Sequence, residues 1–231
     1  MLAQHTKNGR KNANVENNGV NNKGKRRVIK DVDSMTDCIK MNVSIIGEQG
    51  DLAKALYNKL VLEHHVICYG KNQYDFLNKD NISTLVDSIH QSDIIISCPG
   101  VFASDDSWET FTINDLAPIY LLEKLVEKQS KAHVIIVGSH GAMWTSWPGI
   151  SMGKLAYNVS KETIQSFTTG LSQSNLSDLK LSVFNPSVFQ SKINGYQGHP
   201  IDIIVDGIIH VIQAPAPLLI YEYNNYQNAS R

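Results

Sequence analysis

From residue 41 onward, short runs of apolar residues alternate with longer segments in which apolar residues recur at helical spacing. The short runs are apolar throughout instead of alternating between apolar and polar residues, which is typical of strands covered on both faces. We therefore expect each run to form a buried strand. Six strands are predicted, at 42–46, 65–69, 93–98, 133–138, 180–184 and 218–223.

The segments between these strands have the periodicity of amphipathic helices. In the first of them, Leu52, Leu56 and Leu60 share one helical face. Regular alternation of strands and helices implies right-handed crossovers and a parallel sheet. The prediction is therefore a doubly wound, Rossmann-like α/β fold with three layers, α/β/α. Helices are expected at 51–60, 82–89, 114–128, 155–173 and 202–213.

The 231 residues divide into a tail and one domain. Residues 1–40 are rich in Asn and Lys and have no periodicity, so they cannot bury enough surface to offset the entropy cost of ordering. We expect a disordered tail over 1–40 and a single domain over 41–231. The basic run between Lys23 and Lys30 could contact phosphates, but a solvated tail is the favoured interpretation.

Charge and cysteine content narrow the class of protein. Residues 1–30 carry eight Lys/Arg and one acidic residue, whereas the remainder carries 13 basic and 21 acidic residues, a net charge of −8. A mildly acidic domain does not predict a nucleic-acid surface. No apolar run approaches the roughly 20 residues that span a bilayer, and the N-terminus lacks the apolar core of a signal peptide. Three widely spaced cysteines favour a reducing, cytoplasmic location.

A glycine turn follows the first predicted strand. Gly47, Gly50 and Ala53 have G-x-x-G-x-x-A spacing between that strand and the next helix. Gly47 permits a tight turn, Gly50 lets a pyrophosphate approach the N–H groups at the helix N-terminus, and Ala53 allows close packing of helix on strand. The turn therefore predicts a dinucleotide site, although a turn that only connects two elements is the alternative. Glu48 and Asp51 place two carboxylates beside the proposed anion site, which could weaken such binding.

The end of the second strand selects between the two nicotinamide cofactors. An acid there would bind the ribose 2′-hydroxyl of NAD and repel the 2′-phosphate of NADP. The sequence CYGKNQ has Lys71 and no acid at this place. A cation favours the 2′-phosphate, so NADP is the favoured cofactor and NAD the alternative. Lys71 could also be an ordinary exposed lysine.

Further features follow in order along the second half of the chain. The sequence SCPG, which ends in Gly100, follows the third strand, and Asn114 lies in the next predicted helix. Ser139 follows the fourth strand. Tyr157 and Lys161 come next, four residues apart, so they lie on one face of the helix that contains them.

This order of features resembles the short-chain dehydrogenase/reductase family over about 41–223. The chain is similar to an atypical member, because SCPG keeps only one glycine of the family's Asn-Ala-Gly-like stretch and Ser187 replaces the glycine that follows Pro186. A second Tyr-x-x-x-Lys pair, Tyr120 and Lys124, does not follow a strand that ends in serine. We expect it to pack in the core or lie on the surface.

The resemblance implies a catalytic tetrad of Asn114, Ser139, Tyr157 and Lys161. A phenol titrates near ~10, which is too high for efficient proton exchange near neutral pH. The charge of Lys161 is expected to stabilise the phenolate and to lower the pKa of Tyr157. Ser139 would donate a hydrogen bond to the carbonyl oxygen as charge develops there, and Asn114 would hold a water of the proton relay. Ser139 as a turn hydroxyl and Asn114 as a helix cap are the structural alternatives.

Cofactor contacts are implied by the same resemblance. Lys161 would bind the nicotinamide ribose, and the backbone of Val188 would contact the carboxamide. The family also implies a homodimer or a homotetramer. Together with the glycine turn and Lys71, the implied cofactor-binding residues are Gly100, Tyr157, Lys161, Pro186 and Val188.

A loop of 17 residues separates Ser139 from Tyr157 and is expected to border the substrate pocket. It contains His140, Met143, Trp144 and Trp147. The tryptophans could stack on a ring or sugar substrate, or they could pack the loop or an oligomer interface.

The function expected from these residues is an NADP(H)-dependent oxidoreductase that reduces a carbonyl, or oxidises an alcohol, on a small substrate. One alternative is a catalytically idle NAD(P)-binding regulator or scaffold. Another is a sugar-nucleotide reductase or epimerase, which the short C-terminal portion disfavours.

Overall fold

A six-stranded parallel sheet forms the middle layer of the structure. Its order is β2-β1-β3-β4-β5-β6, with every neighbouring pair parallel. The doubly wound α/β fold predicted from the apolar runs is therefore confirmed. The strands are β1 (Asn42–Ile46), β2 (His65–Tyr69), β3 (Ile94–Ser97), β4 (His133–Val137), β5 (Lys180–Asn185) and β6 (Ile220–Glu222).

The computed structural model describes residues 39–102, 106–144, 150–174, 178–214 and 220–222. The tail predicted over 1–40 lies outside the described residues, except for Ile39 and Lys40, and stays a prediction. No helix within the described ranges has an apolar stretch long enough to cross a bilayer.

Helices cover both faces of the sheet. On one face α1 packs against α6, and on the other α2 packs against α4, which in turn contacts α5. The helices are α1 (Asp51–Leu60), α2 (Lys79–Ile89), α3 (Ser107–Phe111), α4 (Ala117–Glu127), α5 (Met152–Gln173) and α6 (Ile201–Gln213).

The strands are apolar throughout because both of their faces are buried. In β3, Ile94 and Ile96 point to the core beside α1 and α6, whereas Ile95 points to the core beside α2, α4 and α5. Burying a side chain of this size contributes about 1.5–3 kcal/mol. A polar residue at Ile95 would therefore remove one of the contacts that fix the sheet between its helices.

The β2 edge is less protected than the rest of the sheet. β2 forms hydrogen bonds with β1 on one side, and among the described residues no strand pairs with its other side. Its residues alternate between exposed and partly buried, and the Ile67 side chain is 59% exposed. β2 is therefore an edge strand with one face partly exposed.

The helix predicted over 114–128 is part of a longer helical segment that begins at Ser107, and α4 itself begins at Ala117. Asp106 caps α3 by accepting hydrogen bonds from the N–H groups of Trp108 and Glu109. A π-helical turn, Thr112–Leu116, then joins α3 to α4. Pro118 follows this turn and has no N–H to donate to the carbonyl of Asn114 four residues earlier. An interruption of the α-helical hydrogen bonds at this point therefore has a physical cause in the sequence.

Candidate functional site

The crevice lies where the chain changes direction across the sheet. From β1 the chain crosses to β2 on one side and then to β3 on the other, so loops diverge beyond the carboxyl ends of β1 and β3. Ligands of doubly wound proteins bind at such a point. A cavity of about 630 Å³ lies there, with walls that come from the loops after β1, β2, β3, β4 and β5.

The glycine turn forms one end of this cavity. Gly47 has φ +102°, and a Cβ there would lie 3.2 Å from the backbone N of Pro99. The N–H groups of Gly47 and Glu48 both donate to the carbonyl of Tyr69, which holds the turn against the end of β2. Gly50 caps α1 with extended backbone, and no side chain of the cap accepts a hydrogen bond from the first N–H groups of that helix, which begins at the cavity. The N-terminus of a helix in this condition is suited to an anion.

One of the two acidic residues of the turn has a protein partner. The Asp51 carboxylate accepts a hydrogen bond of 2.7 Å from the backbone N–H of Lys192, in the segment after β5. This contact joins residues that are 141 positions apart and closes the two walls of the cavity against each other. The negative charge of Asp51 is also favourable at the N-terminus of α1.

Ser139 and Tyr157 meet at the other end of the cavity. The hydroxyl of Tyr157 forms a hydrogen bond with the Ser139 side chain. Ser139 is itself held in place, because its N–H donates to Asn185 Oδ1 at 3.0 Å and its Oγ accepts from the N–H of Gly141 at 3.0 Å. The turn after β4 and the first part of α5 therefore bring together two groups that a carbonyl oxygen could contact at once.

Lys161 is buried one turn further along α5. Its Nζ donates to the carbonyl of Val137 at 3.0 Å, and burial lowers its pKa to about 8, while Cys98 and Asp115 act in the opposite direction. The pKa of Tyr157 is raised, because burial of the phenol outweighs the lowering by the Ser139 hydrogen bond. The spacing of Tyr157 and Lys161 predicted that the lysine lowers the pKa of the phenol, and this prediction is wrong. The ammonium group is directed at a backbone carbonyl instead of acting on the phenol.

Asn114 fastens the chain that leaves β3. Its side chain is 1% exposed. Its Oδ1 accepts from the N–H of Val101 at 2.9 Å, and its Nδ2 donates to the Val101 carbonyl at 2.9 Å and to Ser160 Oγ at 3.3 Å. Both ends of the amide are thus engaged by protein groups. The relay role expected for Asn114 therefore stays a prediction.

The remaining predicted residues line the same cavity. Gly100 lies beside the tetrad, since a Cβ there would be 3.6 Å from Lys161 Nζ. Ala53 is fully buried under the glycine turn, and Lys71 is exposed after the end of β2. Pro186 and Val188 form the wall opposite the turn, where Val188 is 62% exposed. The predicted site residues therefore line one cavity except for Asn114, which is buried behind Val101.

Comparisons with known proteins show the fold. No family model and no curated protein matches the chain. Among solved structures, it is similar to a 3-alpha-hydroxysteroid dehydrogenase from a Pseudomonas species, complexed with NADH, with a TM-score of 0.65, 16% identity and coverage of 78% of this chain and 94% of that one. A short chain dehydrogenase from Burkholderia cenocepacia, in complex with NADP, gives a TM-score of 0.64 with 11% identity over 79% and 88% of the two chains. The chain has the fold of the short-chain dehydrogenases/reductases.

A third similar structure with this fold is a dTDP-4-dehydrorhamnose reductase from Bacillus anthracis, in complex with NADP. Its TM-score is 0.60 with 16% identity, and the match covers 80% of this chain and 76% of that one. Part of the longer chain therefore has no counterpart in the match.

Three residues that the sequence did not indicate support the site of this short-chain dehydrogenase/reductase fold. Asn185 is fully buried at the end of β5 and orients Ser139. Gly138 is needed beside it, because a Cβ at that position would overlap Asn185 Oδ1. The ring of Phe102 packs edge-on against Tyr157, with centroids 4.9 Å apart. A polar residue at the end of an apolar strand was a signal for Asn185, whereas nothing local marked Phe102.

The predicted aromatic loop is only partly described. Trp147 lies outside the described residues, as does the side chain of Trp144. His140 lines the cavity, and Met143 is 53% exposed. Stacking by the tryptophans therefore stays a prediction.

The second Tyr-x-x-x-Lys pair lies away from the cavity. The ring of Tyr120 packs on the core beside α2 and α4. Lys79 and Lys124 lie 5.1 and 5.3 Å from the ring centroid. The two pairs have the same spacing but different surroundings. Tyr120 in α4 packs on the core, whereas Tyr157 and Lys161 in α5 line the cavity.

Asp115 is a buried acid beside the tetrad. It is 4% exposed, and its Oδ1 lies buried without a hydrogen-bond partner in the described part of the chain. Burial raises its pKa to about 6, while Lys161 acts to lower it. The folded-state pKa of Asp115 lies above that of an unfolded aspartate. Its contribution to the free energy of unfolding is therefore fully present below about pH 4 and is lost as the pH rises through about 6.

We expect Asp115→Asn to remove this loss, because the amide cannot ionise. The free energy of unfolding of the variant minus that of the wild type should rise from about pH 4.5 to about pH 7.5 by on the order of 2 kcal/mol. Urea unfolding at several pH values measures the difference. Asp206→Asn, at an exposed position of α6, is the matched control. A difference for Asp115→Asn that does not grow with pH would contradict the prediction.

Proposed function

We propose that this protein is an NADP(H)-dependent oxidoreductase of the short-chain dehydrogenase/reductase type, which reduces a carbonyl or oxidises an alcohol on a small substrate. The observation that carries the proposal is the hydrogen bond between Tyr157 and Ser139 at one end of a cavity whose other end is the glycine turn. A proton donor and a phosphate-binding turn in one crevice are the two parts that such a reaction requires.

The turn and the crevice fit a nicotinamide dinucleotide. Gly47 and Gly50 leave backbone space for a pyrophosphate at the N-terminus of α1, and Lys161 Nζ lies beside Gly100, where a ribose would approach. The similar structures named above contain NADH or NADP. When bound, the nicotinamide ring supplies or accepts the hydride.

The residues of this chain supply the proton transfer and the positioning. In the direction of reduction, the Tyr157 hydroxyl gives its proton to the oxygen that gains charge, and Ser139 donates a hydrogen bond to the same oxygen. Lys161 Nζ donates to the Val137 carbonyl and lies beside Gly100, so it holds the end of β4 that leads to Ser139 and presents a buried cation to the crevice. Asn114 fixes the backbone at Val101 and thereby the wall against which the substrate lies.

The lining favours a substrate with an apolar part. Phe102, Val188 and Ile193 present partly exposed side chains to the cavity. Ring contacts with Phe102 would add to simple burial, since aromatic pairs favour edge-on or offset geometry. A small ketone or secondary alcohol with an apolar substituent fits this lining. NADP is the proposed cofactor because Lys71 stands at the end of β2.

A regulator that binds the dinucleotide without turnover is the second candidate. The raised pKa of Tyr157 and the direction of the Lys161 ammonium towards Val137 favour it, because both make the phenol a poorer acid. The two candidates agree on binding and differ in turnover.

The test is a titration of the purified full-length protein with NADPH and NADH, followed by NADPH consumption with a panel of ketones and aldehydes. Saturable binding together with substrate-dependent consumption is expected. Binding without consumption of NADPH by any member of the panel would favour the regulator. Absence of binding to either cofactor would overturn both candidates.

A further inference from the structure

Two side chains of the glycine turn lie over the end of β2. A Cβ at Gly70 would be 2.5 Å from Glu48 Oε2 and 2.5 Å from Gln49 Nε2, so both side chains occupy space that exists only because residue 70 is glycine. Gln49 Oε1 also accepts a hydrogen bond of 3.2 Å from the N–H of Lys71. The turn after β1 and the end of β2 are therefore joined by side chains as well as by backbone.

The Glu48 carboxylate lies at the end of the sheet where β2 finishes, because its Oε2 occupies the space beside Gly70. Its negative charge acts on the thiol of Cys68, in β2, whose pKa is raised first by burial and then by Glu48. Lys71 stands on the same border with the opposite charge and an exposed side chain.

This border is where the two nicotinamide cofactors differ. In a doubly wound fold whose first turn holds the pyrophosphate, the adenosine ribose lies at the end of the second strand. An acid there accepts a hydrogen bond from a free ribose 2′-hydroxyl, and it repels a 2′-phosphate. The residues from Gly70 to Tyr74, which directly follow β2, contain no acid, and the turn after β1 brings the Glu48 carboxylate to Gly70. Asp75 comes after them and lines the cavity.

We infer that Glu48 is a specificity-determining residue that opposes binding of the 2′-phosphate and favours a free 2′-hydroxyl, against the contribution of Lys71. The inference rests on the proposed function, because it concerns how the same crevice selects its cofactor. A residue of the glycine turn would thus act as the acid that selects between the two ribose groups, a role that the residues directly after β2 do not provide.

The effect is moderate because Glu48 lies at the rim. Gln49, Gly70 and Lys71 line the cavity, whereas Glu48 is an exposed residue behind them. Water and salt screen charges at such a position, so the discrimination should weaken as ionic strength rises. A change in relative affinity of about tenfold is the scale to expect for one charge at this separation.

The experiment measures dissociation constants of NADPH and NADH for the full-length protein and three variants, at low and at high salt. Glu48→Gln keeps the size of the side chain and removes its charge. Lys71→Gln removes the opposing charge, and Glu63→Gln, at an exposed position after α1, is the control for loss of a carboxylate.

For Glu48→Gln we expect NADPH to bind about tenfold more tightly, with NADH binding changed by less than about twofold or weakened. Lys71→Gln should shift the ratio in the opposite direction, and Glu63→Gln should leave it unchanged. The shift caused by Glu48→Gln should become smaller at high salt.

If Glu48→Gln changes both affinities equally, or neither, the inference is wrong while the proposed function stands. If the wild type binds neither cofactor, the proposed function fails and the inference fails with it. The two failures are therefore distinguishable in one set of titrations.

Discussion

Replacing Tyr157 with phenylalanine is expected to lower kcat for carbonyl reduction by about 10²–10⁴-fold, because the substitution removes only the hydroxyl that transfers the proton. Burial of the ring and its edge-on contact with Phe102 should persist, so the fold should not change. The affinity for NADPH should change little, since the lost atom faces Ser139. Steady-state kinetics with the best substrate of the panel, together with a cofactor titration, measure both quantities.

The chain supplies its own control for this experiment. Tyr120→Phe removes the same hydroxyl from a tyrosine with the same spacing to a lysine, at a position outside the cavity. Its kcat should lie within about twofold of the wild type, since substitutions away from the site act only through small changes in stability. Equal activity of the Tyr157→Phe variant and the wild type would show that Tyr157 is not the proton donor, and the proton would then come from another group.

Asn114→Ala is expected to lower the free energy of unfolding by about 2–4 kcal/mol. The substitution leaves the N–H and the carbonyl of Val101 without the amide that satisfies both, and it opens space between the chain after β3 and Ser160 in α5. Urea unfolding followed by circular dichroism measures the loss. Because Val101 borders the cavity, the dissociation constant of NADPH should rise as well.

Asn58→Ala is the matched control for Asn114→Ala. Asn58 lies at an exposed position of α1, where alanine is also the better helix former. Its unfolding free energy should therefore stay within about 0.5 kcal/mol of the wild type or rise slightly. A similar small effect for Asn114→Ala would show that the hydrogen bonds to Val101 contribute little, and it would contradict the assignment of Asn114 as the residue that fastens this wall.

The strands could be predicted because burial on two faces leaves a local pattern. Ile94, Ile95 and Ile96 contact helices on alternate sides of the sheet, so every position is apolar and the run is visible without knowledge of its neighbours. The parallel direction of the strands followed from their alternation with helices, whereas their order in the sheet was not predicted. The start of α3 was missed, because its capping residue Asp106 precedes a segment with no clear apolar periodicity.

The parts of the site that could be predicted are those with characteristic local spacing. Gly47 and Gly50 belong to one turn, and Tyr157 and Lys161 to one helical face. Asn185 and Phe102 support the site from distant segments, and no local pattern connects them with Ser139 or Tyr157. Contacts of this kind depend on how loops meet beyond the sheet, which the chain order does not specify.

The charge environment was the least predictable feature. Spacing correctly predicts that Tyr157 and Lys161 share a face, but it does not determine where the ammonium points. Lys161 donates to the Val137 carbonyl at 3.0 Å, and desolvation then sets the direction of the Tyr157 pKa. Whether an ion stabilises its neighbour depends on burial and on competing partners, which only coordinates reveal.

The unpaired border of the sheet at β2 has a practical consequence for work with this protein. In the described part of the chain no strand pairs with the outer backbone groups of β2, and Ile67 on this strand is 59% exposed, so β2 is a template for strand addition between molecules. Concentrated samples, or variants that loosen α1, should precipitate through this border first. A lysine at position 67, which natural proteins often place on such strands, would keep preparations monodisperse without touching the crevice.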